Sequence, residues 1–287
     1  WRNPEFFKTF NCECLPNVEN DWTSEEQKYV DMLWDETLLY LDAYIDSLTT
    51  GTGKCRHSAE ATIQTYNPET GQKETRCIMK YRDVQLLVKH VQAVLENPDK
   101  AKKCFSPERN VGWKYTPSTE LYDISPVAKW MNRPLLTDYY QDMGGEMGRH
   151  GMEFAENFQE IVSKTDSSYH FKGDITIKGL PNLWAASGWV PMYSKEKRWT
   201  AGTPRFRGGY AYAEVMGPWG LLKIKSINGE TVGAEIGMTA QLFNTTYPFH
   251  FHNPQEIYQT LSVPECADQY QNCLLHWDNP ELDIIKE

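Results

Sequence analysis

Around residue 170 the apolar period of this chain changes from three-and-four to two, so neither an all-helical nor an all-strand fold can bury both halves. Before the change, Thr23 is followed three residues later by Glu26, the spacing of a capping box. Tyr29, Val30, Leu33, Trp34, Leu38, Leu41, Tyr44, Ile45 and Leu48 then recur at three and four, which predicts an amphipathic helix over about 24–48, stopped by Thr-Thr-Gly-Thr-Gly. Val84, Leu87, Val88, Val91 and Leu95 form the stripe of a second helix, about 80–96, ended by Asn97-Pro98 because proline cannot continue the ladder. Between them, 61–66 reads as a short strand and 67–71 as a turn. Ser125-Pro126 pairs a cap residue with proline at the first helical position, and predicts a helix over 126–142 interrupted near Pro134. Met143-Gly144-Gly145 breaks the pattern before a further helix from Met152 to Val162. After the change, 174–178 alternates, 221–225 leads into the tight turn Asn228-Gly229, and Val232, Ala234, Ile236, Met238 and Ala240 alternate with polar residues or glycine. The expected class is α+β, a mainly helical region over 1–168 followed by a β sandwich or barrel over 169–287.

An excess of acid over base, 39 Asp and Glu against 29 Lys and Arg, argues against a nucleic-acid partner. Apolar runs are too short to span a bilayer, so no membrane insertion is expected. Seven cysteines lack the short paired spacings of a zinc ribbon. Cys55 and Cys77 flank a paired segment and could be bridged, as could Cys266 and Cys273. With the sequon Asn244-Thr245-Thr246, the cysteines suggest a secreted chain or another oxidising compartment, and a start at Trp1 suits either a processed mature chain or a partial sequence.

The chemistry-bearing stretch is Tyr247-Pro-Phe-His250-Phe-His252-Asn-Pro-Gln-Glu256-Ile-Tyr258-Gln-Thr-Leu261. On a strand, His250 and His252 share a face; after a turn at Asn253-Pro254, Glu256 and Tyr258 return to it. Two imidazoles and a carboxylate suit one divalent metal ion, Zn or Fe, with Mn or Ni also compatible. Phe249, Phe251, Ile257 and Leu261 would fill the opposite face.

This string resembles the first metal-binding motif of the cupin superfamily, and within it the cupin-type dimethylsulfoniopropionate lyases that carry a helical N-terminal region. The resemblance implies a C-terminal β-barrel with His250, His252 and Glu256 as metal ligands and Tyr258 as the catalytic tyrosine. It also implies a small carboxylate substrate, split by β-elimination into dimethyl sulfide and acrylate. No second cupin motif follows, and a complete barrel needs more strands than the stretch after Leu261 supplies, so either the sequence stops or skips inside the domain or the barrel is completed unconventionally. His276 is the downstream candidate for a last ligand. Tyr247 is the weaker base candidate, since its strand parity differs from that of His250. Trp184, Trp189, Tyr193, Tyr210, Tyr212 and Trp219 could offer ring faces to a sulfonium. An iron-dependent cupin dioxygenase and a cupin-like binding protein without turnover remain alternatives. His57, His90, His150 and His170 read as ordinary surface or interior histidines.

Overall fold

A computed structural model describes residues 9–18, 21–52, 60–67, 72–79, 82–163, 174–196 and 202–248, with two short strands beyond. In chain order, β1 (Cys12–Cys14) precedes α1 (Ser24–Ser47), the strands β2 (Thr49–Thr52), β3 (Glu60–Asn67) and β4 (Gln72–Met79), and helices α2 (Arg82–Glu96) and α3 (Pro98–Ala101). Helices α4 (Glu120–Ile124), α5 (Pro126–Met131), α6 (Leu136–Met143), α7 (Gly145–Glu156), α8 (Phe158–Ser163), α9 (Pro181–Ser187) and α10 (Pro204–Gly208) follow. The strands β5 (Tyr210–Met216), β6 (Ile224–Ile227), β7 (Glu230–Thr231), β8 (Ile236–Gln241), β9 (Glu256–Ile257) and β10 (Ile284–Ile285) complete the order. Two compact units result, one from 1–107, 170–175 and 214–236, the other from 108–169, 176–213 and 237–287.

The first unit pairs α1 with α2 and adds small sheets. At the start of α1 the Thr23 hydroxyl accepts from Glu26 N at 3.3 Å while the Glu26 carboxylate accepts from Thr23 N at 3.0 Å, so two otherwise orphaned donors are satisfied reciprocally. Leu33, Trp34, Leu41 and Ile45 of α1 are buried, as are Val84, Val88, Val91 and Val94 of α2, each contributing about 1.5–3 kcal/mol by leaving water. β3 and β4 form an unbroken antiparallel hairpin from Glu60↔Met79 to Asn67↔Gln72, with β2 on the other edge of β4. β1, β6 and β7 make a second sheet. Its β6–β7 turn uses Asn228 (φ 50) and Gly229 (φ 81), both left-handed, as a two-residue hairpin loop requires. A disulfide joins Cys14 to Cys104, 90 residues apart, and Lys223 N donates to the Cys104 carbonyl at 2.8 Å. Cys77 is also disulfide-bonded, while Cys55, Cys266 and Cys273 lie outside the described residues. Such bonds belong to a chain that folds in an oxidising compartment.

The second unit is helical around an aromatic core. Ser125 caps α5 by accepting from Ala128 N at 3.0 Å and donates to Asn182 Oδ1 at 2.7 Å, which ties α5 to α9. Fully buried Trp189 stacks on Trp184 at 5.0 Å and meets Phe158 edge-on at 4.7 Å, geometries that suit the ring quadrupoles. Gly148 and Gly151 on α7 admit Tyr140 so closely that a Cβ at Gly151 would fall 2.0 Å from the Tyr140 ring. α10 packs on α7 through Gly208, where a Cβ would lie 2.7 Å from the Met147 carbonyl.

The α+β class holds, but the cupin barrel does not: the sheets among the described residues are open, of two or three strands each. The alternating stretch 174–178 is a turn rather than a strand, because Leu180 N bonds back to the Thr176 carbonyl at 2.9 Å and feeds α9. Alternation from Val232 becomes strand only at Ile236. The helix expected from Met152 starts at Gly145 and is divided at Asn157. The strand expected at 61–66 is β3, and β1, β2 and β4 add to it in the half read as mainly helical. No helix among the described residues is long and apolar enough to cross a membrane.

Candidate active site

Within the second unit, four rings from separate parts of the chain converge. Thr203 caps α10 by accepting from Phe206 N at 3.2 Å, and Pro204 supplies its first turn. Fully buried Phe206 then sits 5.2 Å from the Tyr193 ring, 5.4 Å from Tyr210 and 5.3 Å from Tyr247. Tyr193 and Tyr210 meet edge to face at 5.0 Å, Tyr210 and Tyr247 are 5.6 Å apart, and the Tyr193 and Tyr247 hydroxyls hydrogen-bond at 2.9 Å. In that pair one hydroxyl donates and the other accepts. Tyr210 is buried, whereas Tyr193 and Tyr247 are half-buried, so the cluster has a wet side.

Each ring is held from behind. Arg205 forks onto Glu153 of α7 with both bonds at 2.7 Å and reaches the Phe243 carbonyl at 3.2 Å, fixing the segment that carries Tyr247. This pairing holds the Glu153 carboxyl below its ordinary range and pushes the Arg205 guanidinium up. Arg207 Nε donates to the Tyr193 carbonyl at 3.2 Å. Beside it, Ser194 Oγ donates to the Pro191 carbonyl at 2.7 Å, so its 2.6 Å bond with Tyr139 has the phenol as donor. Burial raises the Tyr139 phenol, against a smaller lowering by Ser194. The turn before Tyr247 is closed by Thr245 Oγ1, which donates to the Leu242 carbonyl at 2.6 Å and accepts from Gln241 Nε2 at 2.7 Å. Electron-rich ring faces with phenolic oxygens at a wet edge can receive a small organic cation, and the adjoining Arg207 guanidinium can receive a carboxylate.

Of the rings singled out from sequence, Tyr193 and Tyr210 come together here. Trp184 and Trp189 are core, and Tyr212 packs on Gly237. Trp219 is 45% exposed in a turn of the first unit, its backbone N–H donating to the Glu214 carboxylate. His250, His252, Tyr258 and His276 lie outside the described residues, and Glu256 is described only as backbone, on β9 opposite Ile285. The expected Zn or Fe centre is not borne out. Among the described residues no group of three or more His, Cys, Asp or Glu side chains converges as ligands. Their histidines are committed elsewhere, His90 to Glu230 at 3.4 Å and His150 to Glu153 at 3.6 Å. Tyr247 stands in turn and loop over 242–248 rather than on a strand, so strand parity does not count against it. Phe206 and Arg207 were overlooked, although Thr203-Pro204 repeats the start signal recognised at Ser125-Pro126.

A family described as dimethylsulfoniopropionate lyase matches residues 185–280, a span that includes all four rings. The dimethylsulfoniopropionate lyase DddY of Shewanella woodyi is 43% identical over 281 residues, which cover 96% of this chain and 67% of that protein. At that identity and coverage the chain belongs to the dimethylsulfoniopropionate lyase family.

Proposed function

We propose that this chain is a lyase that cleaves dimethylsulfoniopropionate into dimethyl sulfide and acrylate. The observation that carries the reading is the 43% identity to DddY across nearly the whole chain, and the ring cluster gives it a physical basis. The substrate is a zwitterion, a sulfonium separated from a carboxylate by two methylenes. Half-buried Tyr193 and Tyr247, backed by the buried rings of Phe206 and Tyr210, offer ring faces and phenolic oxygens to the sulfonium. Arg207 has no ion pair among the described residues and suits the carboxylate. Neutralising that carboxylate matters because removal of the α-proton places further negative charge beside it.

The base takes the α-proton, the C–H electrons form the Cα=Cβ bond, and the C–S bond breaks with its pair on sulfur. Dimethyl sulfide leaves neutral, acrylate keeps the carboxylate, and no redox equivalent is needed. Tyr258 is the proposed base, with Tyr247 as second candidate. A phenol of ordinary pKa about 10 becomes a useful base only beside positive charge, which the substrate's own sulfonium supplies. The disulfides favour a chain that works outside the cytoplasm.

Headspace detection of dimethyl sulfide, with acrylate quantified in the same vial, tests the reading. One dimethyl sulfide per acrylate is expected, and absence of both products from the folded protein would overturn it. Tyr258→Phe is expected to abolish turnover while substrate still binds. If Tyr247→Phe is the dead variant instead, the base is reassigned.

A further inference from the structure

Seven is an odd number of cysteines, so at least one must stay unpaired when all bridges are intramolecular. Among the described residues the free one is Cys12, and its location is unusual: its Sγ lies 3.8 Å from Cys104 Sγ, which is already bonded to Cys14. Three sulfurs of the first unit are therefore in contact, at close to the sum of two sulfur radii. The strand explains why. Cys12 and Cys14 are two apart on β1 and share a face, with exposed Glu13 between them pointing away. The register of β1 on β6 slips at this point, Glu13 opposing Ser226 and Cys14 opposing Ile224, so both sulfurs reach the same turn before Phe105.

We propose that Cys12, Cys14 and Cys104 form a thiol–disulfide exchange site in which Cys104 is the shared sulfur. The Cys12 thiolate attacks Cys104 Sγ, a Cys12–Cys104 bond forms, the Cys104–Cys14 bond breaks, and Cys14 leaves as a thiolate. Cys12 gives up one proton and Cys14 takes one up, so nothing is oxidised or reduced overall. The two isomers differ in what they show to solvent. With Cys14 bridged, the spare thiol is buried, at 3% exposure, with the Lys100 carbonyl 3.6 Å from its sulfur; with Cys12 bridged, it moves to the half-buried Cys14 position. Either isomer ties β1 to the segment after α3, so the tether survives while the reactive thiol changes place. Burial raises the Cys12 thiol above its ordinary range, with Lys103 pulling the other way, and exchange is correspondingly slow near neutrality and faster in alkali.

The test is trapping and peptide mapping of the wild-type chain, purified without reductant and held with N-ethylmaleimide at pH 7, 8 and 9. Cleavage after Glu13 separates the two strand cysteines, so each can be scored alone. Labelled Cys14 together with a Cys12–Cys104 linked peptide is expected, its rate rising up to about tenfold per pH unit. Cys12→Ser must remove the Cys14 label. Cys14→Ser must contain a Cys12–Cys104 bridge. Wild-type protein whose Cys14 stays unlabelled at pH 9, with Cys12 labelled only after unfolding, overturns the proposal, as does a folded Cys14→Ser variant with two free thiols. Should that variant not fold, the wild-type labelling decides alone.

Discussion

Replacing Tyr193 by leucine removes one ring from the cluster while keeping a half-buried apolar side chain in place. The Tyr193 ring lies 5.0 Å from Tyr210 and 5.2 Å from Phe206, and its hydroxyl lies 2.9 Å from that of Tyr247. A cation held against one aromatic face gains about 0.5–2 kcal/mol, so its loss should raise the KM for dimethylsulfoniopropionate by about 2- to 30-fold. Tyr193→Phe keeps the face and loses only the hydroxyl contact, worth about 1 kcal/mol, so its effect should be about fivefold or less. Ring loss and general loosening are separated by charge. 4-Methylpentanoate has the shape and carboxylate of the substrate but no positive sulfur, and should bind as a competitive inhibitor. Steady-state kinetics on gas release would give KM for the substrate and the inhibition constant for the analogue in each variant, with thermal melts confirming the fold. The leucine variant should lose affinity for the cation and keep most of its affinity for the analogue. Equal weakening of both would refute the idea that the ring recognises charge.

Gly151→Ala should destabilise the second unit. Its Cβ would stand 2.0–2.3 Å from three atoms of the fully buried Tyr140 ring. Overpacking of that kind costs about 1–3 kcal/mol or more and exceeds the roughly 1 kcal/mol that alanine gains over glycine in a helix. Urea unfolding checks this, and a variant as stable as wild type would show that α7 moves freely. His90 predicts a pH dependence. Burial lowers its pKa, against smaller raising effects of Glu230, while Lys89 lowers it further. The folded state thus disfavours the charged imidazole, and its contribution is complete above the unfolded value near 6.5 and is lost as the pH falls below it. The Glu230 carboxylate beside it, held down chiefly by Lys89, loses its contribution at still lower pH, below its ordinary value. His90→Gln should flatten the decline in stability between about pH 7 and pH 5, and an unchanged slope would exclude His90 as its source.

What the sequence discloses about this fold is what neighbouring residues decide between themselves. The Thr23 and Glu26 box, the Ser125 cap and the Asn228-Gly229 turn are each satisfied within a few residues, and each forms where the sequence predicts it. Alternation over 174–178 satisfies the same template as a strand, but Ile175 and Ile177 are buried outside any strand, where the Leu180 N bond to the Thr176 carbonyl closes a turn. Conversely β1 has three residues and no local signal. It exists because β6, more than two hundred residues away, bonds to it, and a pairing of that separation leaves no periodic trace.

The ring cluster follows the same logic at a smaller scale. Tyr193, Phe206, Tyr210 and Tyr247 have no common period, and their meeting depends on Arg205 finding Glu153 of α7, an ion pair across fifty-two residues. Tyr247 has no strand phase, because the left-handed Asn244 (φ 56) and the Thr245 bonds hold the chain just before it in a turn and 246–248 is loop. A histidine motif is conspicuous because its ligand types are rare and close in sequence. The platform of rings and guanidinium just before it is built from common residues, and only the packing that brings them together makes them a site.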